Sequence, residues 1–282
     1  MKIAFFGLGA MGAPMAEHLL SAGHCVYAAV HCRREAAEDL QRRCGLQLTP
    51  APAEAVRRAE VVLTILSADR EVKEVLLSRD MAAAIQPGTV ILEMSSCTAE
   101  AVQEVAAFYR GRGVPVVDAP VSGGVLGAEK GTLTVFASGD EAAQARVEPI
   151  LKAFARTIYH LGQCGMGKTF KNLDNLLSMY NLMGLCEIYR IAEKQQIDPQ
   201  LFYKVIGQNS GASRALANRW LPLTRGEFQP GFTLRMARKD VENALALGRG
   251  LPLPMFGLLL QLMTAAQRHD GEDVNAMRRL FE

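Results

Sequence analysis

The sequence predicts a protein of the α/β class, in which an N-terminal doubly wound sheet is followed by an all-α C-terminal domain joined to it by a long interdomain helix. Two observations predict this architecture. Short β-rich segments alternate with helical segments in the first half of the chain, as in a mostly parallel sheet that is covered on both faces. After about residue 163, strand-like segments stop and helical segments follow. The expected domains are therefore residues 1–163 and residues 164–282.

The segments of the first domain are indicated by their composition and periodicity. Helical segments include MGAPMAEHLLSAG, EAAEDLQRRCG, REVKEVLLS and AEAVQEVAAFYRGRG, and several of them end in glycine, as helices often do. Short runs of apolar, β-branched and aromatic residues predict the strands, namely KIAFFG, HCVYAAV, EVVLTIL, GTVILEM, VPVVDA and TLTVFAS.

The second domain is expected to consist of helices. A long helix is predicted from about residue 169 to residue 196. Proline and glycine interrupt the helical pattern at residues 198–199, 229–231 and 252–254. The further predicted helices are PQLFYKVIGQ, SRALANRWLPL, residues 234–248 and a stretch around FGLLLQLMTAAQRH.

Composition argues against several classes of protein. A length of 282 residues is enough for about two domains. The net charge of +2 is too small to suggest a nucleic-acid surface, and no run approaches the roughly 18 apolar residues of a membrane span. The six cysteines are scattered, with no C-x-x-C pair and no histidine cluster at metal spacing. We therefore expect a cytoplasmic protein with reduced thiols, no metal site, no nucleic-acid partner and no membrane segment.

A phosphate-binding pattern follows the first predicted strand. GLGAMG fits G-x-G-x-x-G, comes directly after KIAFF and opens the helix MGAPMAEHLL. In such a βαβ unit the glycines permit a tight turn, close approach of the backbone to a pyrophosphate and close helix packing, while the helix N-terminus attracts the anion. The first domain is therefore expected to be a Rossmann-type dinucleotide-binding domain. Its predicted cofactor contacts are Gly7, Leu8, Gly9, Ala10, Met11 and Gly12.

The end of the second predicted strand indicates which dinucleotide is preferred. NAD sites usually place an acidic residue there, where it binds both ribose hydroxyls. The segment VYAAVHCRRE has no acid until Glu35, and arginines suit a 2′-phosphate that a carboxylate would repel. We therefore predict that NADP(H) is preferred, with His31, Arg33 and Arg34 near that phosphate, while NAD(H) stays open as the alternative.

A second glycine-rich sequence, GQCGMGKT at residues 162–169, fits the nucleoside-triphosphate pattern G-x-x-x-x-G-K-[ST]. The run TIYHL before it resembles a strand, and FKNLDNLLSMYN after it resembles a helix. A loop of this kind, however, opens a sheet in which a later strand ends in the aspartate that helps to hold magnesium. Here no strand-like segment follows, so an ATP- or GTP-binding loop is disfavoured.

Four motifs stand in order along nearly the whole chain: FFGLGAMGAPMAEHL, DAPVSGGVLGAEKGTL, GMGKTFKNLDN and FTLRMARKDVENAL. Together they resemble the motifs of the β-hydroxyacid dehydrogenase family, which includes 3-hydroxyisobutyrate dehydrogenase, tartronate semialdehyde reductase and the glyoxylate/succinic semialdehyde reductases. They resemble, in turn, its N-terminal signature, its substrate-binding motif, its catalytic helix G-x-G-x-x-x-K-x-x-N-N and its C-terminal K-D segment. The resemblance implies an enzyme that transfers hydride between a nicotinamide cofactor and a small acid.

The resemblance also implies roles for residues of the catalytic helix. In its register the general acid/base is Lys171, which gives a proton to the carbonyl oxygen in reduction and takes it back in oxidation. Asn175, four residues on and on the same helix face, would orient Lys171 and the substrate oxygen. Lys168 has no family role, and we expect it to be solvated or attracted to a neighbouring acid. Asp174 stands where the family usually has asparagine, and its carboxylate would either favour the acid form of Lys171 or face away from it.

Further site residues follow from the other motifs. Consecutive glycines expose backbone N–H groups, so Ser122, Gly123 and Gly124 are expected to bind the substrate carboxylate. The resemblance implies additional contacts: Leu66, Ser67, Ser96 and Lys239 with the cofactor, and Phe232 and Asp240 with the substrate pocket.

The expected function is NADP(H)-dependent reduction of a small aldehyde or keto acid such as glyoxylate, succinic semialdehyde or tartronate semialdehyde. One alternative is an NAD-dependent 3-hydroxyisobutyrate dehydrogenase, and an alternative of another class is a non-catalytic dinucleotide-binding interaction protein. A reductase of imines on the same scaffold would be expected to replace the family lysine, and Lys171 is present. Because family members commonly share their helical domains, we expect a homodimer or a homotetramer.

Overall fold

The computed structural model describes residues 1–29, 34–229 and 231–282. Their internal contacts divide them into two compact units, Met1–Lys171 and Asn172–Glu282. This division follows contacts and falls inside one helix, Met166–Lys194. The domain boundary expected after residue 163 therefore stays a prediction.

The described residues of the first unit are built on a nine-stranded sheet. Its strands are β1 (Lys2–Phe6), β2 (Cys25–Ala29), β3 (Gln47–Thr49), β4 (Val61–Thr64), β5 (Val90–Glu93), β6 (Val116–Asp118), β7 (Val121–Ser122), β8 (Leu133–Gly139) and β9 (Ala155–His160). The order is β3-β2-β1-β4-β5-β6-β8-β7, with β9 paired to β8. The strands from β1 to β6 are parallel, and β8 runs antiparallel to β6 and β7. The run 3-2-1-4-5-6 is the order of a Rossmann-type sheet, so this part of the prediction is confirmed.

Helices cover both faces of the sheet, because alternate residues of each strand point to opposite sides. In β1, Ile3 and Phe5 join one core cluster, while Ala4 and Phe6 join the other. The helices of this unit are α1 (Gly12–Ser21), α2 (Arg34–Cys44), α3 (Pro52–Arg57), α4 (Asp69–Leu76), α5 (Arg79–Ala84), α6 (Ala99–Arg110), α7 (Gly124–Glu129) and α8 (Glu141–Lys152). Residues of α1, α2 and α8 pack in the first cluster, and residues of α3 to α6 pack in the second.

The described residues of the second unit form helices, as expected. They are the remainder of α9 (Met166–Lys194), then α10 (Pro199–Ile206), α11 (Arg214–Arg225), α12 (Leu234–Leu247), α13 (Pro254–Ala265) and two short 3-10 helices, Gln267–His269 and Val274–Leu280. Asp198, Ser213 and Thr233 cap the N-termini of α10, α11 and α12, where each side-chain oxygen accepts a backbone N–H. Within the described ranges, no helix has both the length and the apolar character needed to cross a membrane.

Candidate active site

The three glycines of the loop after β1 meet different surroundings. Gly7 has a φ of +108°, and a Cβ built on it would lie 2.1 Å from the Ile65 carbonyl oxygen. A Cβ on Gly12 would lie 1.9 Å from the Gly7 carbonyl oxygen. A Cβ on Gly9, by contrast, would meet no atom of the described chain within 4 Å other than its own neighbours. Packing therefore requires glycine at 7 and 12, whereas the open space at Gly9 lets a ligand approach the backbone.

This loop fits the pyrophosphate of a dinucleotide. Helix α1 begins at Gly12 and has no acidic side chain in its first turn, so its N-terminal N–H groups present a partial positive charge. Leu8 and Met11 are partly buried against the core, and Ala10 is exposed. An anion bound at this end of the sheet would therefore meet backbone N–H groups beside Gly9.

The loops after β4 and β5 lie at the same edge of the sheet, because β1, β4 and β5 are neighbouring parallel strands. The backbone N–H of Leu66 donates a hydrogen bond to Ser95 Oγ over 2.8 Å and ties these two loops together. Ser67 is exposed and Ser96 is half-buried. The structure thus places Leu66, Ser67 and Ser96 at the edge of the sheet from which the glycine loop also emerges.

The loop that is expected to bind the substrate carboxylate joins β7 to α7. Gly123 and Gly124 have φ angles of +132° and +63°, conformations that residues with side chains rarely adopt. A Cβ on Gly124 would meet nothing within 4 Å among the described residues, whereas one on Gly123 would lie 3.0 Å from Leu133. Both glycines are exposed and Ser122 is half-buried. The geometry suits a small anion that binds successive backbone N–H groups.

Lys168 of the GQCGMGKT sequence is fully buried in the first unit. Its Nζ lies 2.6 Å from Glu93 Oε2 and 3.1 Å from Asp118 Oδ1. Burial alone would lower the pKa of the Lys168 ammonium, but the carboxylates of Glu93 and Asp118 outweigh burial and raise that pKa. The expectation of a solvated Lys168 is therefore wrong, and its alternative, attraction to a neighbouring acid, is confirmed.

The backbone N–H groups around the start of α9 are also hydrogen-bonded within the protein. The N–H groups of Gly165 and Lys168 each donate to Asp118 Oδ2 over 3.1 Å, and that of Gly167 donates to Ser138 Oγ over 3.0 Å. A Cβ on Gly167 would lie 2.3 Å from a carbonyl oxygen of β8, so glycine allows α9 to approach the sheet. The lysine and amides that a triphosphate loop offers to phosphate are thus bound within the protein, in agreement with the argument against an NTPase.

Lys171 and Asn175 are buried side chains of α9, with 8% and 9% of their surfaces exposed. Lysine is among the residues that are almost never buried without a partner, so Lys171 departs from the usual state of a helical lysine. Asp174, in contrast, is exposed. Exposure alone does not decide between the two expectations for Asp174, and both stay predictions.

In the second unit, Asp240 holds the amide of Asn175. Asn175 Nδ2 donates to Asp240 Oδ2 over 2.6 Å, and Asp240 Oδ1 lies 3.2 Å from Lys239 Nζ. Asp240 is 2% exposed and Asn175 is 9% exposed, so the hydrogen bond between them is shielded from water. Phe232 is partly buried against the helical core, and its backbone N–H donates to Asp273 over 3.3 Å. The structure therefore brings Asn175, Lys239 and Asp240 together within the second unit, while their roles stay predictions.

Of the three residues predicted near a 2′-phosphate, His31 and Arg33 lie outside the described residues. Arg34 begins α2, and its Nε donates to Glu38 over 2.8 Å. Its side chain is 78% exposed, and an ion pair of this kind contributes only about 0–1 kcal/mol. Such a weak pair does not prevent Arg34 from binding a phosphate instead.

Sequence reasoning missed the groups that bind Lys168. Glu93 is the last residue of β5 and Asp118 is the last residue of β6. The available signal was an acid at the end of each apolar strand, in VILE and VVD, because neighbouring parallel strands end at one edge.

In the described part of the chain, no three His, Cys, Asp or Glu side chains converge in a way that could hold a metal ion.

Two family models match the chain in succession. Residues 2–162 match the NAD binding domain of 6-phosphogluconate dehydrogenase. Residues 165–281 match the model described as NAD-binding of NADP-dependent 3-hydroxyisobutyrate dehydrogenase.

Individual relatives match over the whole length. The chain is 33% identical to the 2-(hydroxymethyl)glutarate dehydrogenase of Eubacterium barkeri, over 100% of this chain and 95% of that protein. It is 32% identical to the NAD-dependent L-serine dehydrogenase of Pseudomonas aeruginosa, over 100% and 98% of the two chains. A solved structure of Mycobacterium tuberculosis 3-hydroxyisobutyrate dehydrogenase with L-serine matches with a TM-score of 0.90 and 30% identity, over 99% and 98% of the chains. This chain therefore belongs to the β-hydroxyacid dehydrogenase family of nicotinamide-dependent enzymes that act on hydroxy acids.

Proposed function

We propose that this enzyme uses NADP(H) to reduce a small aldehyde or keto acid, of the glyoxylate, succinic semialdehyde or tartronate semialdehyde type, with Lys171 as the general acid/base. The observation that carries the proposal is the burial of Lys171, which exposes 8% of its surface. A lysine kept for solubility would extend into water, whereas a proton donor must be held where the reacting oxygen binds.

Lys171 provides the proton for the reduction. A bound nicotinamide supplies hydride to the carbonyl carbon. The Lys171 ammonium donates a proton to the carbonyl oxygen as negative charge develops there, and neutral Lys171 accepts it in the oxidation direction. Asn175, whose amide nitrogen donates to Asp240, orients the ammonium and the substrate oxygen.

The substrate carboxylate binds Ser122, Gly123 and Gly124. Two adjacent glycines with positive φ leave successive backbone N–H groups unshielded by side chains, and the Ser122 hydroxyl adds a donor. In this proposal, Phe232 and Asp240 make the substrate contacts that the family resemblance implies. The family resemblance assigns Lys239, Leu66, Ser67 and Ser96 to the cofactor.

The preference for NADP(H) rests on the positive charge of Arg33 and Arg34. Replacing both by serine is expected to raise the KM for NADPH about 10- to 100-fold, because a hydrogen bond to a charged group contributes about 1.5–3 kcal/mol. The KM for NADH should change by no more than about twofold, since NADH has no 2′-phosphate. Initial rates with each cofactor at saturating aldehyde acid measure both values.

Arg42→Ser is the matched control for this pair of substitutions. Arg42 lies on α2, is 76% exposed and contacts Asp39 on its own helix, so its loss should leave both KM values unchanged. Unaltered use of NADPH by the Arg33→Ser/Arg34→Ser enzyme would contradict the assignment.

A kinetic panel tests the substrate class. Wild-type enzyme is assayed with NADPH and with NADH against glyoxylate, succinic semialdehyde, tartronate semialdehyde and methylmalonate semialdehyde. We expect the highest kcat/KM with NADPH and one of the first three. Tight NADPH binding without reduction of any of these acids would support a non-catalytic dinucleotide-binding protein instead.

The second candidate is an NAD-dependent dehydrogenase of the 3-hydroxyisobutyrate type. The names of relatives favour it, since one at 32% identity is an NAD-dependent L-serine dehydrogenase. Oxidation of 3-hydroxyisobutyrate or L-serine with NAD, at a higher kcat/KM than any reduction with NADPH, would replace the first proposal with this one.

A homodimer or homotetramer is part of the proposal, and an apolar stripe on α9 supports it. In the second unit the stripe consists of Leu173, Leu177, Ile188 and Ile191, which are 49%, 56%, 40% and 58% exposed. At 3.6 residues per turn these side chains lie within about 60° of one another around the helix. Gly184 falls on the same face, where a Cβ would meet nothing within 4 Å in the described chain. A second copy of the chain would cover this stripe.

Leu177→Glu is expected to reduce the oligomer to a smaller species, because it places a charge within the apolar stripe. Light scattering coupled to size exclusion measures the mass at several protein concentrations. Leu251→Glu, at a position that is 65% exposed and outside α9, should keep the wild-type mass. A Leu177→Glu protein of wild-type mass would show that this stripe is not the interface.

A further inference from the structure

The cluster of Lys168, Glu93 and Asp118 is a buried group of charges that the proposed reaction does not use. The Lys168 side chain is 1% exposed, and those of both carboxylates are 0% exposed. Besides its two ion pairs, Lys168 Nζ donates to the Glu93 carbonyl oxygen over 3.2 Å. Removing such charges from water costs several kcal/mol per ion, and apolar replacements of buried pairs are often equally stable. Stability alone therefore does not explain why this cluster is present.

On one side, the cluster fixes the first turn of α9. Asp118 Oδ1 faces the Lys168 ammonium, while Asp118 Oδ2 accepts the backbone N–H of the same residue over 3.1 Å. Ser138 Oγ donates to that second oxygen over 2.8 Å. Lys168 is thus held by both its side chain and its backbone, and Lys171 follows three residues later in the same helix. A shift of Lys168 would displace Lys171 with it.

On the other side, the cluster extends to the loop after β4. Glu93 Oε1 accepts the backbone N–H of Ser95 over 2.9 Å, and Ser95 Oγ accepts the backbone N–H of Leu66 over 2.8 Å. A continuous chain of hydrogen bonds and ion pairs therefore runs from Leu66 through Glu93 to Lys168. It crosses the carboxyl ends of β4, β5 and β6, where the cofactor loops begin.

We propose that Lys168 is a positioning residue, whose ion pairs with Glu93 and Asp118 hold the start of α9 against the strand ends and so place the Lys171 ammonium for proton transfer. The proposal rests on the proposed role of Lys171. It assigns a function to the lysine that made GQCGMGKT resemble a triphosphate loop.

Lys168→Gln tests the proposal, because glutamine keeps a polar side chain but lacks the charge and length of lysine. We expect kcat at saturating NADPH and aldehyde acid to fall about 10- to 100-fold, as small displacements of catalytic groups do. The dissociation constant for NADPH should rise by no more than about threefold, since the glycine loop keeps its own contacts. Fluorescence titration of NADPH gives that constant independently of turnover.

Lys152→Gln is the matched control in the same unit. Lys152 pairs with Glu148 over 2.7 Å on the surface of α8 and is 66% exposed, so kcat and the NADPH constant should equal those of the wild type. A Lys168→Gln enzyme with wild-type kcat, or with weaker NADPH binding and unchanged kcat, would overturn the proposal. An inactive wild type would instead count against the proposed function itself.

The double variant Glu93→Gln/Lys168→Met separates positioning from stability. One ammonium and two carboxylates give the cluster a net charge of −1, and Asp118 alone gives the same charge in the double variant. We expect its unfolding temperature to be higher than that of Lys168→Gln, because the double variant leaves one buried carboxylate without its ammonium and Lys168→Gln leaves two. Its kcat should remain at least about tenfold low, because the ion pairs of Lys168 with Glu93 and Asp118 are still missing. Wild-type kcat in this folded variant would overturn the proposal, even if Lys168→Gln alone fails to fold.

Discussion

Replacing Lys171 by alanine is expected to lower kcat for NADPH-dependent reduction about 10²- to 10⁴-fold, which is the usual contribution of a positioned general acid. The side chain at 171 is buried on α9, so bulk water does not substitute readily for the missing ammonium. The dissociation constant for NADPH should change by no more than about threefold, because the glycine loop that binds the pyrophosphate is intact. Steady-state rates at saturating aldehyde acid and NADPH give kcat, and fluorescence titration gives the constant.

Lys194→Ala provides the matched control on the same helix. Lys194 is the last residue of α9 and is exposed, so its loss should leave kcat unchanged. A Lys171→Ala enzyme whose kcat stays within about threefold of the wild type would remove Lys171 from the chemistry.

The second large effect is expected at the glycine loop, where two alanine substitutions should act in different ways. Gly9→Ala adds a methyl group to open space, so folding should be unaffected while NADPH affinity falls at least about tenfold, because the methyl group takes the room of the pyrophosphate. Gly12→Ala places its Cβ 1.9 Å from the Gly7 carbonyl oxygen. It should lower the free energy of unfolding by about 1–3 kcal/mol or more, as overpacking does.

Chemical denaturation and NADPH titration of both variants measure these effects, and each variant serves as the control for the other. The expected pattern is a stable Gly9→Ala protein that binds NADPH weakly and a Gly12→Ala protein with reduced stability. Wild-type affinity for NADPH in Gly9→Ala would show that the backbone at residue 9 does not approach the cofactor.

The main architecture could be predicted because its signals are local. The apolar strands of the parallel sheet and the glycine pattern between KIAFF and its helix are each visible within a dozen or so residues. The strands β3 and β7 are different, since they contain only QLT and VS. Segments this short show no periodicity from which a strand could be predicted, and β3 forms because it pairs with β2. The positions of β3 and β7 therefore depend on the assembled sheet.

Only part of the site could be predicted, because local motifs identify residues but not the contacts between residues that lie far apart in the sequence. Family motifs identified Lys171, Asn175 and Asp240 as residues, but the hydrogen bond between Asn175 and Asp240 joins positions 65 residues apart. The contact of Lys168 with Glu93 spans 75 residues. Such pairs depend on which strand ends and helix faces become neighbours in the fold. A lysine at the start of a helix therefore gives no local sign that it will be fully buried.

Rescue of the Lys171→Ala enzyme by small primary amines tests proton transfer at this position most directly. The assay follows initial formation of NADPH from NADP and the hydroxy acid, in which direction Lys171 acts as a base and no aldehyde is added that could condense with the amine. If the missing amine is the base, the rate should rise with the concentration of neutral amine and more steeply for more basic amines, with no stimulation of the wild type. A Lys171→Ala enzyme that binds NADPH normally yet gains no activity from any amine would contradict the assignment of Lys171 as the general acid/base.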